Sequence, residues 1–133
     1  ITNLHLETPR EGFELIRAGR LRDGIHKVQE KSLIRGVELR QARYWADNSP
    51  GPQIITGDFN TPVESRSYRD SWGDWQNAFS SVGRGVGGTR LNGWIKVRID
   101  HILANREWKV LEAWVESDVG SDHLPTAAIV RLR

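Results

Sequence analysis

Cysteine is missing altogether, which excludes disulfides, thiolate nucleophiles and zinc sites built on cysteine pairs, and leaves the redox compartment unmarked. No apolar run approaches the roughly eighteen residues that a membrane-spanning helix needs, and those present have the length of buried strands. Charge of one sign is also scarce. Nineteen Lys and Arg against seventeen Asp and Glu leave a formal +2, short of the dense basic footprint of a dedicated nucleic-acid-binding module. Anionic substrates are allowed by this balance and not demanded by it. With 133 residues, 38% of them hydrophobic, the chain fills one core and has no room for two domains.

What is present alternates between strand and helix patterns. Residues 2–6 read as a half-buried strand, with Leu4 and Leu6 on one face and Asn3 and His5 on the other. That alternation starts at once, so the chain is expected to begin inside a sheet. Pro9, Gly12, Gly19 and Gly24 punctuate a charged stretch to Lys31, read mostly as loop with a short helix over 11–18. Ser32 is placed as the cap of a helix carrying Leu33, Val37, Leu39 and Trp45, ended by Asn48-Ser49-Pro50-Gly51-Pro52. Gln53-Ile54-Ile55-Thr56 is a buried strand that delivers Asp58 and Asn60 at its end. A helix over 64–79, a glycine-rich loop over 83–88 and strands over 96–104, 108–117 and 126–132 complete a mixed α/β chain with helices covering sheet. There is no internal repeat.

Two motifs carry little. Gly83-Arg84-Gly85-Val86-Gly87-Gly88 satisfies a dinucleotide-binding pattern, but a helix precedes it where a strand is required. Ser121-Asp122-His123 has the residue types of a hydrolase triad, yet neighbours on one extended segment do not converge. The informative set is His5, Asp58 with Asn60, Asp100, and Asp122 with His123, each near a strand end. The i, i+2 spacing of Asp58 and Asn60 points a carboxylate and an amide into one small volume, suited to a hard cation or a metal-held phosphate oxygen. Asp100 interrupts Val97-Arg98-Ile99-Asp100-His101-Ile102-Leu103, where an unpaired charge is costly, so it is expected to pair, with His123 as the candidate. His101 shares the face of Val97, Ile99 and Leu103 and reads as a core histidine, while His26 is assigned to solvent. Gly-Asp, Ser-Asp and Asn before Thr-Pro are also ordinary turn formers, which is the plain alternative for Asp58, Asn60 and Asp122.

The ordered set Asn3–Thr8 (NLHLET), Ile54–Pro62 (IITGDFNTP), Gly88-Thr89 ahead of Val97–Asn105 (VRIDHILAN), and Gly120–Val130 (GSDHLPTAAIV) resembles the endonuclease/exonuclease/phosphatase superfamily. The resemblance implies a single partial domain over residues 1–133. This would be part of a deoxyribonuclease-like four-layer α/β/β/α sandwich, with the N-terminal strands and their metal-binding glutamate missing. It implies a divalent-metal-dependent phosphoesterase using Mg2+ or Mn2+, with a phosphate-ester substrate, nucleic acid among the candidates. Carried over, Asp58 orients or activates water, Asn60 holds the phosphate, and His123 is the acid/base imidazole oriented by Asp100. Asp122 is a metal-side ligand beside Asp58, Asn60 and His123, and His5 donates to a phosphate oxygen. Arg84, Arg90 and Trp94 are candidates for contacting a phosphate and a stacked base, Trp94 equally for packing under the loop. A catalytically silent module with the same fold is the alternative. Uncovered sheet edges would favour self-association. Compartment and exact substrate are not encoded in these motifs.

Overall fold

The computed structural model describes residues 1–92 and 95–133. Its central sheet has the strand order β1-β2-β6-β3, formed by β1 (Thr2–His5), β2 (Ile54–Asp58), β3 (Gln76–Asn77) and β6 (Asp100–Ala104). β1 and β2 run parallel, so the chain between them must return the length of the sheet, and α1 (Arg10–Arg17) and α2 (Leu21–Asp47) make that crossover. α3 (Arg66–Trp72) follows β2, and α4 (Ala78–Val82) follows β3. Two antiparallel pairs complete the structure, β4 (Arg90–Asn92) with β5 (Ile95–Val97) and β7 (Trp108–Val115) with β8 (Thr126–Leu132).

The sheet is covered on both faces, which is why β2 buries both Ile54 and Ile55 instead of alternating. On one side α2 and α3 pack through Leu39, Ala42, Ala46, Tyr68 and Trp72 against Leu6, Ile55, Phe59 and Leu103. On the other, Ala78, Ala104 and Val110 meet Ile102, Ala113, Ala128 and Val130 of the β7–β8 hairpin and its neighbours. The order is helix, sheet, sheet, three of the layers of a deoxyribonuclease-like sandwich.

Several boundaries differ from the sequence reading. The stretch to Lys31 is not loop: α2 begins at Leu21, and Ser32 lies inside it instead of capping it. Gly12 and Gly24, which look like breakers, are the crossing point of α1 and α2. A Cβ on Gly12 would stand 2.9 Å from the Gly24 carbonyl, and one on Gly24 2.7 Å from the Gly12 carbonyl. Leu33, Val37 and Trp45 are exposed, and the face that α2 turns to the core is Leu39, Ala42 and Ala46, two of the three being small. The helix over 64–79 is broken at Gly73. Gln76 and Asn77 pair with Ala104 and Leu103, and Asn77 then caps α4 by accepting from the Ser80 N–H at 3.1 Å. The strand over 96–104 is two strands, divided at Arg98-Ile99, and β4 is an element the sequence reading does not contain. The termination at Asn48 and the strand over 126–132 agree.

Candidate active site

Strand register assembles the site. His5 is the cross-strand partner of Asp58, and Asp58 is in turn the partner of Asp100, so three polar residues reach one end of the sheet on adjacent strands. Gly57 makes this possible. Its φ of 131° and the approach of the Leu4 carbonyl, 1.9 Å from where a Cβ would stand, leave no space for any other residue. Beyond the strand the chain turns sharply: the Asn60 N–H donates to Asp58 Oδ1 at 2.7 Å, and Asn60 takes a left-handed φ of 46°, which a short amide side chain tolerates. The Asn60 amide nitrogen donates to the Leu6 carbonyl at 2.8 Å, tying the end of β2 to β1.

His123 comes from the other side, on the segment before β8. The Leu124 N–H donates to the Thr89 carbonyl at 2.6 Å, and Arg90 bridges His123 in antiparallel fashion. Its ring Nδ1 lies 2.8 Å from Asp100 Oδ2 and its Nε2 3.9 Å from Asp58 Oδ2. A carboxylate only accepts, so in the neutral ring the hydrogen sits on Nδ1 and Nε2 carries the lone pair, to which the Arg90 guanidinium donates. Asp100 is held from behind by the buried Thr89, whose hydroxyl accepts from the N–H groups of Ile99 and Asp100 at 3.2 and 3.1 Å. Burial raises the pKa of Asp58 above the usual carboxylate value, and Asp100 adds to this while the Asn60 N–H, His123 and His5 oppose it.

The sequence-derived candidates thus divide. Asp58, Asp100 and His123 offer ligand atoms within 4.8 Å of one another, and His5 Nε2 faces Asp58 Oδ2 at 3.9 Å from an exposed position. Asn60 adjoins them with its amide nitrogen engaged. Asp122 is not one of the trio: Arg10 and Arg90 approach its Oδ2 at 3.3 and 3.2 Å, and the same Arg90 guanidinium reaches His123. Trp94 lies outside the described residues, and Arg84 is exposed on the wall of a separate cavity beside β7. His101 is 2% exposed, as read, with Nε2 donating to the Thr61 carbonyl at 2.9 Å and Nδ1 accepting from Asn77 at 3.2 Å. His26 is exposed, on α2 instead of in a loop. Sequence reasoning missed the roles of Thr89 and Arg10. Only Thr89 carried a signal, as a threonine closing a glycine-rich loop ahead of the Asp100 strand.

Two carboxylate oxygens and one imidazole nitrogen form a donor set that fits a divalent metal ion. The fold and this site define an α/β protein with an acidic and imidazole centre at the strand ends of a layered sheet. The comparisons add a name to that class: the endonuclease/exonuclease/phosphatase family model matches residues 10–123, and the chain belongs to that family.

Among solved structures, the chain is similar to a mannosyl-6-phosphatase of Bacteroides thetaiotaomicron, at 21% identity and a TM-score of 0.59 over 80% of this chain and 46% of that one. It is similar to the APE2 catalytic domain of Xenopus laevis, at 21% identity and a TM-score of 0.58 over 79% and 44%. A 3′ phosphatase, NExo, from Neisseria, bound to a product DNA hairpin, matches at 16% identity and a TM-score of 0.61 over 79% and 55%. The chain therefore spans about half the length of these structures. No curated protein sequence matches it significantly.

Proposed function

We propose that Asp58, Asp100 and His123 form one side of the centre of a divalent-metal-dependent phosphoesterase acting on a phosphate ester, nucleic acid included. The observation that carries this reading is the imidazole held by Asp100 at Nδ1 with its Nε2 turned toward Asp58. Atoms 3.9 Å apart can each accept from one oxygen placed between and above them, so Asp58 and His123 Nε2 can share a water that donates to both. Asp58, Asp100 and His123 would hold a Mg2+ or Mn2+ ion, with Asn60 beside them, and when bound the ion would neutralise charge on phosphoryl oxygens. Asp100 keeps the His123 ring in one tautomer and orientation. Arg90, already on Nε2, turns to the substrate phosphate when one enters, and exposed His5 donates from the opposite side.

The test is hydrolysis of bis(p-nitrophenyl) phosphate with Mg2+ or Mn2+, an EDTA control, and His123→Ala alongside. Metal-dependent turnover that falls by about two to four orders of magnitude in the variant is expected. Turnover indifferent to His123→Ala removes the imidazole from the reaction. Binding of Mn2+, followed by electron paramagnetic resonance, tests the donor set without activity, and is expected to weaken in Asp58→Asn.

Self-association belongs to the same proposal. β1 is an outer strand whose far edge has no strand partner among the described residues. A mass in light scattering that rises with concentration is expected, and a constant monomer mass overturns it.

A further inference from the structure

α2 is apolar on two opposite faces, and the core uses only one of them. Leu39, Ala42 and Ala46 face the sheet, while Leu33 and Val37 are 75% and 57% exposed and Tyr44 is exposed in line with them. At about 3.6 residues per turn, these three share one stripe down the helix with His26, Glu30 and Arg40, all exposed. α1 crosses α2 at Gly24 and α3 meets it at Arg43, so both neighbours leave the stripe open. Single exposed apolar residues are ordinary on a protein surface, whereas a contiguous line of them marks a contact.

The steps along the stripe alternate between four and three residues, and they read the same from either end about a midpoint between Leu33 and Val37. Its chemistry is complementary under that reversal. A second α2 running antiparallel across the midpoint sets Leu33 against Val37, Glu30 against Arg40 and His26 against Tyr44, each pairing made twice. Arg40 makes no hydrogen bond or ion pair among the described residues, so it brings an unused guanidinium. Glu30 meets Lys27 at 3.0 Å and leaves half of its side chain open to a second cation. The cations flanking the stripe are already held by carboxylates of their own chain, Lys27 by Glu11 and Arg43 by Asp47 and Asp74, so they do not oppose the approach.

We propose that α2 is a self-association surface, on which two copies of this chain pair antiparallel through Leu33 and Val37, with Glu30 and Arg40 bridging between them. The stripe is about 27 Å long, which makes a small interface with an expected dissociation constant of roughly 10–100 µM. It lies apart from the β1 edge and contains no residue of the candidate site, so it does not depend on the phosphoesterase reading.

Analytical ultracentrifugation with exchanged charges tests it. Glu30→Arg sets arginine against arginine and Arg40→Glu sets glutamate against glutamate, so each variant alone is expected to weaken the dimer at least about tenfold. An equimolar mixture of the two brings opposite charges together again at both positions, and is expected to form a one-to-one dimer close to the unaltered affinity. Leu33→Asp, at an exposed position, is expected to abolish the dimer with an unchanged circular dichroism spectrum. Lys109→Glu, on β7, alters the net charge as Arg40→Glu does and is expected to leave the affinity unchanged. A chain that stays monomeric at millimolar concentration overturns the proposal and leaves the stripe to a different partner. Association indifferent to Glu30→Arg and Leu33→Asp also overturns it, and assigns the contact to the β1 edge. So does a mixture whose two weakened variants fail to pair, since Glu30 and Arg40 then do not face each other.

Discussion

Two histidines on or beside β6 show how neighbouring groups take opposite chemistry. His123 is partly exposed and has both ring nitrogens on charged partners, Asp100 and Arg90, whereas His101 is enclosed and has both engaged by neutral ones. Burial pushes the His101 pKa down to about 4 from an ordinary 6.5, partly offset by the Thr61 carbonyl. Below pH 6.5 the unfolded chain therefore binds a proton that the folded chain refuses. The associated stability is complete above pH 6.5 and is lost as pH falls toward 4, on the order of 3 kcal/mol at most. Urea unfolding at pH 7, 5.5 and 4.5 should track this decline, with the His101 ring still neutral at pH 5.5 by NMR; a ring titrating near 6.5 refutes it. For Asp100→Asn the expectation is a drop of about a hundredfold or more in any phosphodiesterase turnover, because an amide no longer selects the Nδ1–H tautomer of His123. Unchanged turnover would mean that Asp100 does not orient the ring. His101 was legible as a core residue from its face in the strand. The Asp100–His123 pair was legible only as a candidate, since a span of 23 residues joins its partners and no local pattern brings them together.

At the scale of elements, α2 contains two kinds of glycine that a sequence does not distinguish. Gly24 meets the backbone of α1, so a methyl group there must displace a carbonyl, while a Cβ on Gly36 would find its nearest neighbour, Arg40 Nη1, at an ordinary 3.7 Å. Gly24→Ala should destabilise by about 1–3 kcal/mol through overpacking. Gly36→Ala should stabilise by about 0.5–1 kcal/mol, because alanine is the better helix former. Opposite shifts of the urea midpoint are expected, and shifts of the same sign would refute the crossing. The crossing also explains why the region to Lys31 reads as loop: glycines that break an isolated helix are required where two helices touch. The misplaced face of α2 has a similar origin. Alanines carry little hydrophobic signal, yet Ala42 and Ala46 are buried and the larger Leu33 and Val37 are not. Likewise, the single strand expected over 96–104 becomes two because Thr89, ten residues away, takes the N–H of Ile99.

On the scale of the whole molecule, one end of the sheet gathers everything with chemistry. β1 and β2 end there and β6 starts there, so parallel and antiparallel pairing together place His5, Asp58 and Asp100 in one register. The loop before β8 then brings His123 over them. The chain covers about half the length of its structural neighbours.

The sequence by itself determined the class of fold, the strand that leads into Asp58, and the β8 strand. These rest on local patterns of hydrophobicity and turn chemistry that need no knowledge of distant contacts. Only the tertiary structure decided that Asp122 faces two arginines while its neighbour His123 faces two aspartates. The reason is that both residues lie on a bent segment before β8, where each meets the Arg90 guanidinium, and only the packing of that segment against β6 and α1 gives His123 its aspartates and Asp122 its second arginine.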